Sequence, residues 1–387
     1  MTEVFLCAAR RTPIGRYGGA LARVRPDDMA ALVIDGLLDL HPGLGVDEVI
    51  LGCANQAGED NRNVARMAVL LSRLGEGVPA LTVNRLCASG LDAVVLGARA
   101  VRDGAQVVIA GGVESMTRAP FVMGKAEAAF SRAAEVFDST IGWRFVNERI
   151  AAAHGTEAMG ETAENVARDH RIPRADQDAY ALRAQERYDA GWHAADILPV
   201  PVKGGVVSAD EHPRATSLER LAALPTPFRE GGTVTAGNAS GVNDGAAAMI
   251  LASEEGVRRF GLEPLARVGR AASAGVAPSH MGIGPVAAVE RLAARGAAAP
   301  AECDVVEINE AFAAQVLACL RAWGIADDDP RVNARGGGIA LGHPLGMSGA
   351  RIAAAAARRL AEGGGQRALA TLCVGVGQGV ALELLAV

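Results

Sequence analysis

Two stretches of this chain follow one plan: an apolar strand, a turn bearing a reactive side chain, an alanine-rich helix, a second strand and a run of glycines. The first leads from Val83-Asn84 through Cys87 to Ser89-Gly90, then a helix, the strand Gln106–Ala110 and Gly111-Gly112. The second leads from Val332-Asn333 through His343 to Ser348-Gly349, then a helix, the strand Ala368–Leu372 and the glycines after Cys373. Equivalent units in two halves of a chain predict a pseudo-two-fold core whose glycine-rich turns meet at its centre. Around them, apolar runs such as Glu48–Leu51 and Leu81–Asn84 alternate with helical runs such as Arg62–Leu74 and Ser89–Arg102. That alternation predicts an α/β fold with helices on the faces of a sheet. With 387 residues, 47 of them Gly, and only 4% aromatic, the chain suits several buried layers in close contact.

The character changes over residues 117–240. Seven of the 17 prolines lie there, with polar helical runs Met159–His170 and Arg174–Ala190. This predicts an inserted loop-rich domain over one end of the core. The halves themselves are expected at 1–116 plus 241–262 and at 263–387.

A formal net charge of −6 gives no electrostatic footprint for nucleic acid. It leaves room for an anionic small ligand, because local sites can be basic on an acidic protein. Only two of the 38 basic residues are lysines (Lys125 and Lys203), so any phosphate clamp must rely on Arg and backbone N–H groups. The six cysteines, Cys7, Cys53, Cys87, Cys303, Cys319 and Cys373, show neither CxxC nor zinc-ligand spacing. A reducing compartment and no metal site are expected. The first apolar run, Val4–Cys7, is too short for a signal peptide, and no stretch approaches a membrane span. The expected localisation is cytoplasmic, without a membrane partner.

Cys87 precedes a helix opening at Ser89, where the positive end of the helix dipole favours a thiolate. A buried structural thiol is the commoner fate of a cysteine. His343, between Gly342 and Pro344, reads as an exposed and conformationally fixed loop residue. Cys373 opens onto Gly375, Gly377 and Gly379, whose N–H groups fit either an anion nest or a plain tight turn. Asn309, after the strand Val305–Ile308, can hold a water or carbonyl, or merely cap the next helix. Two cysteines and a histidine held in this way point to carbon–carbon bond chemistry on a thioester.

The Cys87 segment, Gly237-Asn238-Ala239-Ser240-Gly241, Asn309-Glu310-Ala311-Phe312, Gly342-His343-Pro344-Leu345-Gly346 and the Cys373 segment resemble, in order, the signature blocks of thiolases. The stretches 52–63, 118–125 and 140–145 resemble the 3-oxoadipyl-CoA branch of that family. The resemblance implies a five-layer α-β-α-β-α core with an inserted loop domain. It implies CoA-dependent thiolysis of a 3-oxoacyl-CoA, with 3-oxoadipyl-CoA giving succinyl-CoA and acetyl-CoA. Cys87 would carry the acyl group, His343 would assist its deprotonation, and Cys373 would exchange a proton with C2 of acetyl-CoA. His343 with a water on Asn309 would form one oxyanion hole, and the N–H groups of Cys87 and Gly375 the other. Ser240 and Ala236 would line the pantetheine channel, with Met159, Met281 and Phe312 near the acyl end. Arg214 and Arg220 would meet the CoA phosphates, and Arg118 or Arg144 a substrate carboxylate. Coenzyme A enters as co-substrate, no permanent cofactor is implied, and a homodimer or homotetramer is expected. The alternatives are a broad-specificity 3-ketoacyl-CoA thiolase, an acetoacetyl-CoA thiolase, and a silent CoA- or lipid-binding member of the fold. Ala158, where acetoacetyl-CoA thiolases often carry His, weighs against the second; intact Cys87, His343 and Cys373 weigh against the third.

Overall fold

The computed structural model describes residues 2–387. A ten-stranded sheet runs through both halves of the chain. Its first-half strands are β1 (Val4–Arg11), β2 (Glu48–Gly52), β3 (Ala80–Val83), β4 (Val107–Ser115) and β5 (Asn243–Ser253). The second half supplies β6 (Ala266–Gly275), β7 (Val305–Ile308), β8 (Arg367–Val374) and β9 (Gln378–Leu385). The order is β7-β8-β9-β6-β1-β5-β4-β2-β3, and the two-residue strand Gly15–Arg16 pairs with β5. In each half, parallel pairs at the outer edge give way to antiparallel pairs toward the middle. Within the sheet, the halves pair where Phe5 and Leu6 meet Arg267 and Ala266.

The helices of eight or more residues are α1 (Pro26–Leu40), α2 (Val64–Leu71), α3 (Ser89–Arg102), α4 (Met159–Asp169), α5 (Arg174–Glu186), α6 (Gly284–Ala293), α7 (Ala313–Ala322) and α8 (Leu345–Ala361). Side-chain alternation assigns them to layers. Val108 and Ala110 point with Ala368, Ala370 and Leu372 into one core around Leu91, Val94, Ala98, Ile352, Ala353 and Ala356 of α3 and α8. Val107 and Ile109 point the other way, toward α1 and α2. Leu369 and Ala381 face α6 and α7. The result is the five-layer α-β-α-β-α arrangement, with α3 and α8 as the shared central layer. Both units of the sequence repeat therefore meet at its centre. No described helix is long and apolar enough to cross a membrane.

Some boundaries differ from the sequence-based expectation. β4 does not stop before Gly111-Gly112 but continues to Ser115. A Cβ on Gly112 would lie 1.9 Å from the carbonyl oxygen of Gly346, and one on Gly111 2.2 Å from that of Ala247. These glycines mark close backbone approach rather than the end of the strand. α2 is shorter than 62–74, starting after Asn63, whose side chain accepts from the Arg66 N–H. α5 ends at Glu186, and a separate short helix covers Ala190–Ala194. Within 117–240, α4 and α5 pack on α7, and the segment also holds two small hairpins, Phe121–Met123 with Val136–Asp138 and Val200–Val202 with Gly205–Val207, and short helices such as Glu148–His154.

Candidate active site

Between β3 and α3 the chain makes a single tight turn, Leu86–Ala88. Leu86 has φ 45°, a left-handed conformation that costs a non-glycine residue energy and persists only when its surroundings impose it. Asn84 Oδ1 accepts the Leu86 N–H at 2.8 Å, and Ser89 Oγ accepts the Arg85 N–H at 2.9 Å while donating to the Leu86 carbonyl at 2.6 Å. The elbow presents half-buried Cys87 to a cavity, with the N–H groups of Gly375 and Cys87 itself facing its sulfur. Burial nevertheless pushes the thiol up to about 11. This shift runs opposite to the one a helix terminus favours, so the sulfur gains from a base close enough to take its proton.

His343 sits between Gly342, at φ 101°, and the start of α8. It is buried, not exposed as its glycine-proline setting suggested. Its backbone N–H donates to Asn243 Oδ1 at 2.9 Å. Its Nδ1 lies 2.6 Å from Ser348 Oγ, and that hydroxyl already donates to the Pro344 carbonyl at 2.9 Å. A hydroxyl has one proton, so Nδ1–H must be the donor and Nε2 keeps its lone pair. Nε2 lies 3.4 Å from Asn309 Nδ2. Burial, then the nearby Arg351 guanidinium, pushes the imidazole down to about 3, leaving a neutral acceptor.

Cys373 closes β8 and is buried, which holds its thiol well above the ordinary value, with Cys87 adding to the effect. Val374 pairs with Gln378, and Val376 and Gly377 take φ of 63° and 80°. The glycines after Cys373 therefore form a tight hairpin turn, and that turn aims the Gly375 N–H at Cys87.

Cys87, His343, Cys373 and Gly375 line one cavity of about 710 Å³. Met159, Met281, Phe312, Ala236, Ser240 and Arg214 share its wall. The stretch bearing Ala236 and Ser240 is pinned to the one bearing Phe312, since Ser240 N–H donates to the Ala311 carbonyl at 2.9 Å and Ala313 N–H to the Asn238 carbonyl at 2.8 Å. Asn309 stands behind His343 rather than on the wall, and its buried Oδ1 has no donor among the described residues. His212, not foreseen from the sequence, joins Arg214 on the wall, their side chains 3.2 Å apart. Arg220 is not brought there; it lies exposed on the short helix Leu218–Ala222. Arg118 is also withdrawn, since both of its terminal contacts with Glu59 are 2.5 Å and it donates to the Ala22 carbonyl as well. A second cavity, about 200 Å³, opens from Cys87 and Gly375 and has Arg144 on its wall.

Two carboxylates brace the site from behind. Glu114, at the end of β4, accepts the N–H groups of Ala54, Asn55 and Gly346 at 2.9, 3.1 and 2.9 Å. Burial raises it to about 7. Glu310 accepts from Tyr180 Oη at 2.9 Å, Asn333 Nδ2 at 2.7 Å and the Ile339 N–H at 3.0 Å. Sequence reasoning assigned no role to Glu114, Asn243, Ser348 or His212. The available signal for Glu114 was a lone carboxylate near the end of an apolar strand, and for Glu310 its place in Asn309-Glu310-Ala311-Phe312 just past another.

Comparison with known proteins agrees with this architecture. The family model for the thiolase N-terminal domain matches residues 4–255, and that for the thiolase C-terminal domain residues 262–386. The beta-ketoadipyl-CoA thiolase of Pseudomonas aeruginosa is 58% identical over 99% of this chain and 98% of its own length. The 3-oxoadipyl-CoA/3-oxo-5,6-dehydrosuberyl-CoA thiolase of Escherichia coli is 57% identical over 99% of both. Among solved structures, human mitochondrial 3-ketoacyl-CoA thiolase in complex with CoA superposes with a TM-score of 0.92 at 38% identity, covering 100% of this chain and 98% of that one.

Proposed function

This chain belongs to the thiolase family of acyltransferases, and we propose that it cleaves 3-oxoadipyl-CoA with CoA to succinyl-CoA and acetyl-CoA through an acyl-Cys87 intermediate. In this reading His343 Nε2 takes the Cys87 proton, and the sulfur attacks C3 of the substrate. The C2–C3 bond then breaks, its electron pair passes to C2, and Cys373 delivers a proton there, releasing acetyl-CoA. In the second half, Cys373 recovers its proton from the thiol of CoA. The CoA sulfur attacks the acyl-Cys87 carbonyl, succinyl-CoA leaves, and Cys87 regains its proton from His343.

The thiol pKa values suit these roles. Cys373 is a proton donor because it is neutral at rest, and Cys87 becomes nucleophilic only beside a neutral imidazole. Once protonated, His343 Nε2–H becomes an oxyanion donor, alongside a water held by Asn309. The N–H groups of Cys87 and Gly375 serve the other oxyanion, and each such donor is typically worth roughly 3–4 kcal/mol. Arg214, with Ser240 and Ala236, would guide CoA. A homodimer or homotetramer fits the exposed apolar side chains Phe121, Met123 and Phe130.

The observation that carries the proposal is the convergence of Cys87, His343, Cys373 and Gly375 on a single cavity. The test is isotope-labelled acetyl-CoA without free CoA, followed by peptide mass spectrometry. Label is expected on the Cys87 peptide, and Cys87→Ser should carry none. Cys373→Ser should still acylate, yet lose proton exchange at C2 of acetyl-CoA. Label on Cys373 alone would reverse the two roles.

A further inference from the structure

The two cavities meet at the nucleophile. Cys87, Gly375, Met116 and Leu345 belong to the walls of both, so the smaller cavity is a branch that begins where an acyl group on Cys87 begins. The larger one leads past Ser240 toward His212 and Arg214. If CoA lies along the larger cavity, the branch is the space left for the acyl chain.

The polar groups of that branch are nearly all committed. Asn55 Nδ2 donates to the carbonyl and hydroxyl oxygens of Ser139 at 3.2 and 3.0 Å. Ser139 Oγ donates to the Pro120 carbonyl at 2.5 Å, and Thr140 Oγ1 to the Met116 carbonyl at 3.3 Å. Glu114 holds three backbone N–H groups, and Glu157 accepts from Asn165 at 3.3 Å. Two donors remain, the guanidinium of Arg144 and the indole N–H of Trp143. Neither has a hydrogen-bond or ion-pair partner among the described residues, and both are half-buried on the wall of the branch. Arg144 is the only cation on that wall.

The segment bearing them is held at both ends. Upstream are the Ser139 and Thr140 bonds, with the Thr140 N–H on Asp138 Oδ1 at 2.9 Å. Downstream, Phe145 packs edge-on to Phe137 with ring centroids 4.9 Å apart. The backbone that carries the cation is thereby anchored on both sides, which limits what must be ordered when an anion arrives.

We propose that Arg144, assisted by the Trp143 indole N–H, binds the terminal carboxylate of the acyl chain and so selects dicarboxylic 3-oxoacyl-CoA substrates. The inference rests on the thiolase reading above and adds the residue that sets chain selectivity. A carboxylate entering a branch whose other polar side chains are already bonded to the protein loses its hydration without return unless such a donor meets it.

The test compares kcat/KM for 3-oxoadipyl-CoA and 3-oxohexanoyl-CoA, equal in carbon number and differing in the terminal charge, in the full-length enzyme and in Arg144→Met and Arg144→Lys. The wild type should favour the dicarboxylic substrate. Arg144→Met should lose roughly 10- to 100-fold on that substrate alone, as expected for one charge-assisted contact. Arg144→Lys should restore part of it, and KM should absorb most of the change. A wild-type preference that survives Arg144→Met, or an equal loss on both substrates, overturns the role of Arg144 and leaves the thiolase reading intact. No preference in the wild type overturns the oxoadipyl assignment itself.

Discussion

Replacing Ser348 with alanine tests the tautomer on which the mechanism depends. Ser348 is fully buried, and its hydroxyl is the group that accepts the Nδ1–H of His343, at 2.6 Å. Without it a buried N–H is unpaired, a loss of about 1–3 kcal/mol in stability if nothing else moves. The imidazole has a way out. Asn309 Oδ1, which has no donor among the described residues, can accept a proton on Nε2 after rotation of its amide. The proton then shifts from Nδ1 to Nε2, and the lone pair that should deprotonate Cys87 disappears. General-base catalysis contributes roughly 10²- to 10⁴-fold, so Ser348→Ala should lose kcat on that scale while KM for CoA stays near wild type. Two assays separate this from damage to the fold. Alkylation of Cys87 by iodoacetamide at neutral pH should slow in parallel with kcat, and Ser348→Thr, which keeps a hydroxyl, should recover both. A Ser348→Ala enzyme with unchanged kcat and unchanged Cys87 reactivity would refute the assignment of the proton to Nδ1.

Arg214→Ala should raise the KM for CoA roughly tenfold with little change in kcat, the mark of uniform binding lost away from the reacting atoms. Arg220→Ala, on an exposed helix outside the cavity wall, should leave both unchanged, and the reverse result would relocate the nucleotide end of CoA. Glu114 titrates near 7 in the folded chain and near 4.5 without its burial, so the folded state binds more protons between those values. Stability must therefore fall as pH rises from about 4.5 to about 7, by an amount on the order of 3 kcal/mol. Glu114→Gln, which turns an amide toward backbone donors, should be less stable throughout yet lose that slope in pH-dependent denaturant melts. An equal slope in both proteins would place the proton elsewhere.

The repeat, the family and the residue types of the chemistry are legible in the amino-acid order alone. Each of these is written in local order: strand, glycine turn and helix follow one another in the chain, and Cys87, His343 and Cys373 are each marked by adjacent glycine or turn residues. What depends on approach between distant segments was not legible. Gly111-Gly112 reads as the end of the strand Gln106–Ala110 because glycine bounds strands, but the strand runs on, and the carbonyl of Gly346 from the other half is what requires glycine at 112. The helix terminus at Cys87 is a local feature, whereas the burial that pushes its thiol up comes from segments far apart in the chain, around Met159, His343 and Gly375. The same holds for the arginines. Arg118, Arg144, Arg214 and Arg220 are equivalent as letters. Only the folded chain gives Arg118 to Glu59, leaves Arg220 in solvent, and turns Arg214 and Arg144 toward the two arms of the cavity. A charge acts through what surrounds it, and those surroundings are assembled from elements far apart in the chain.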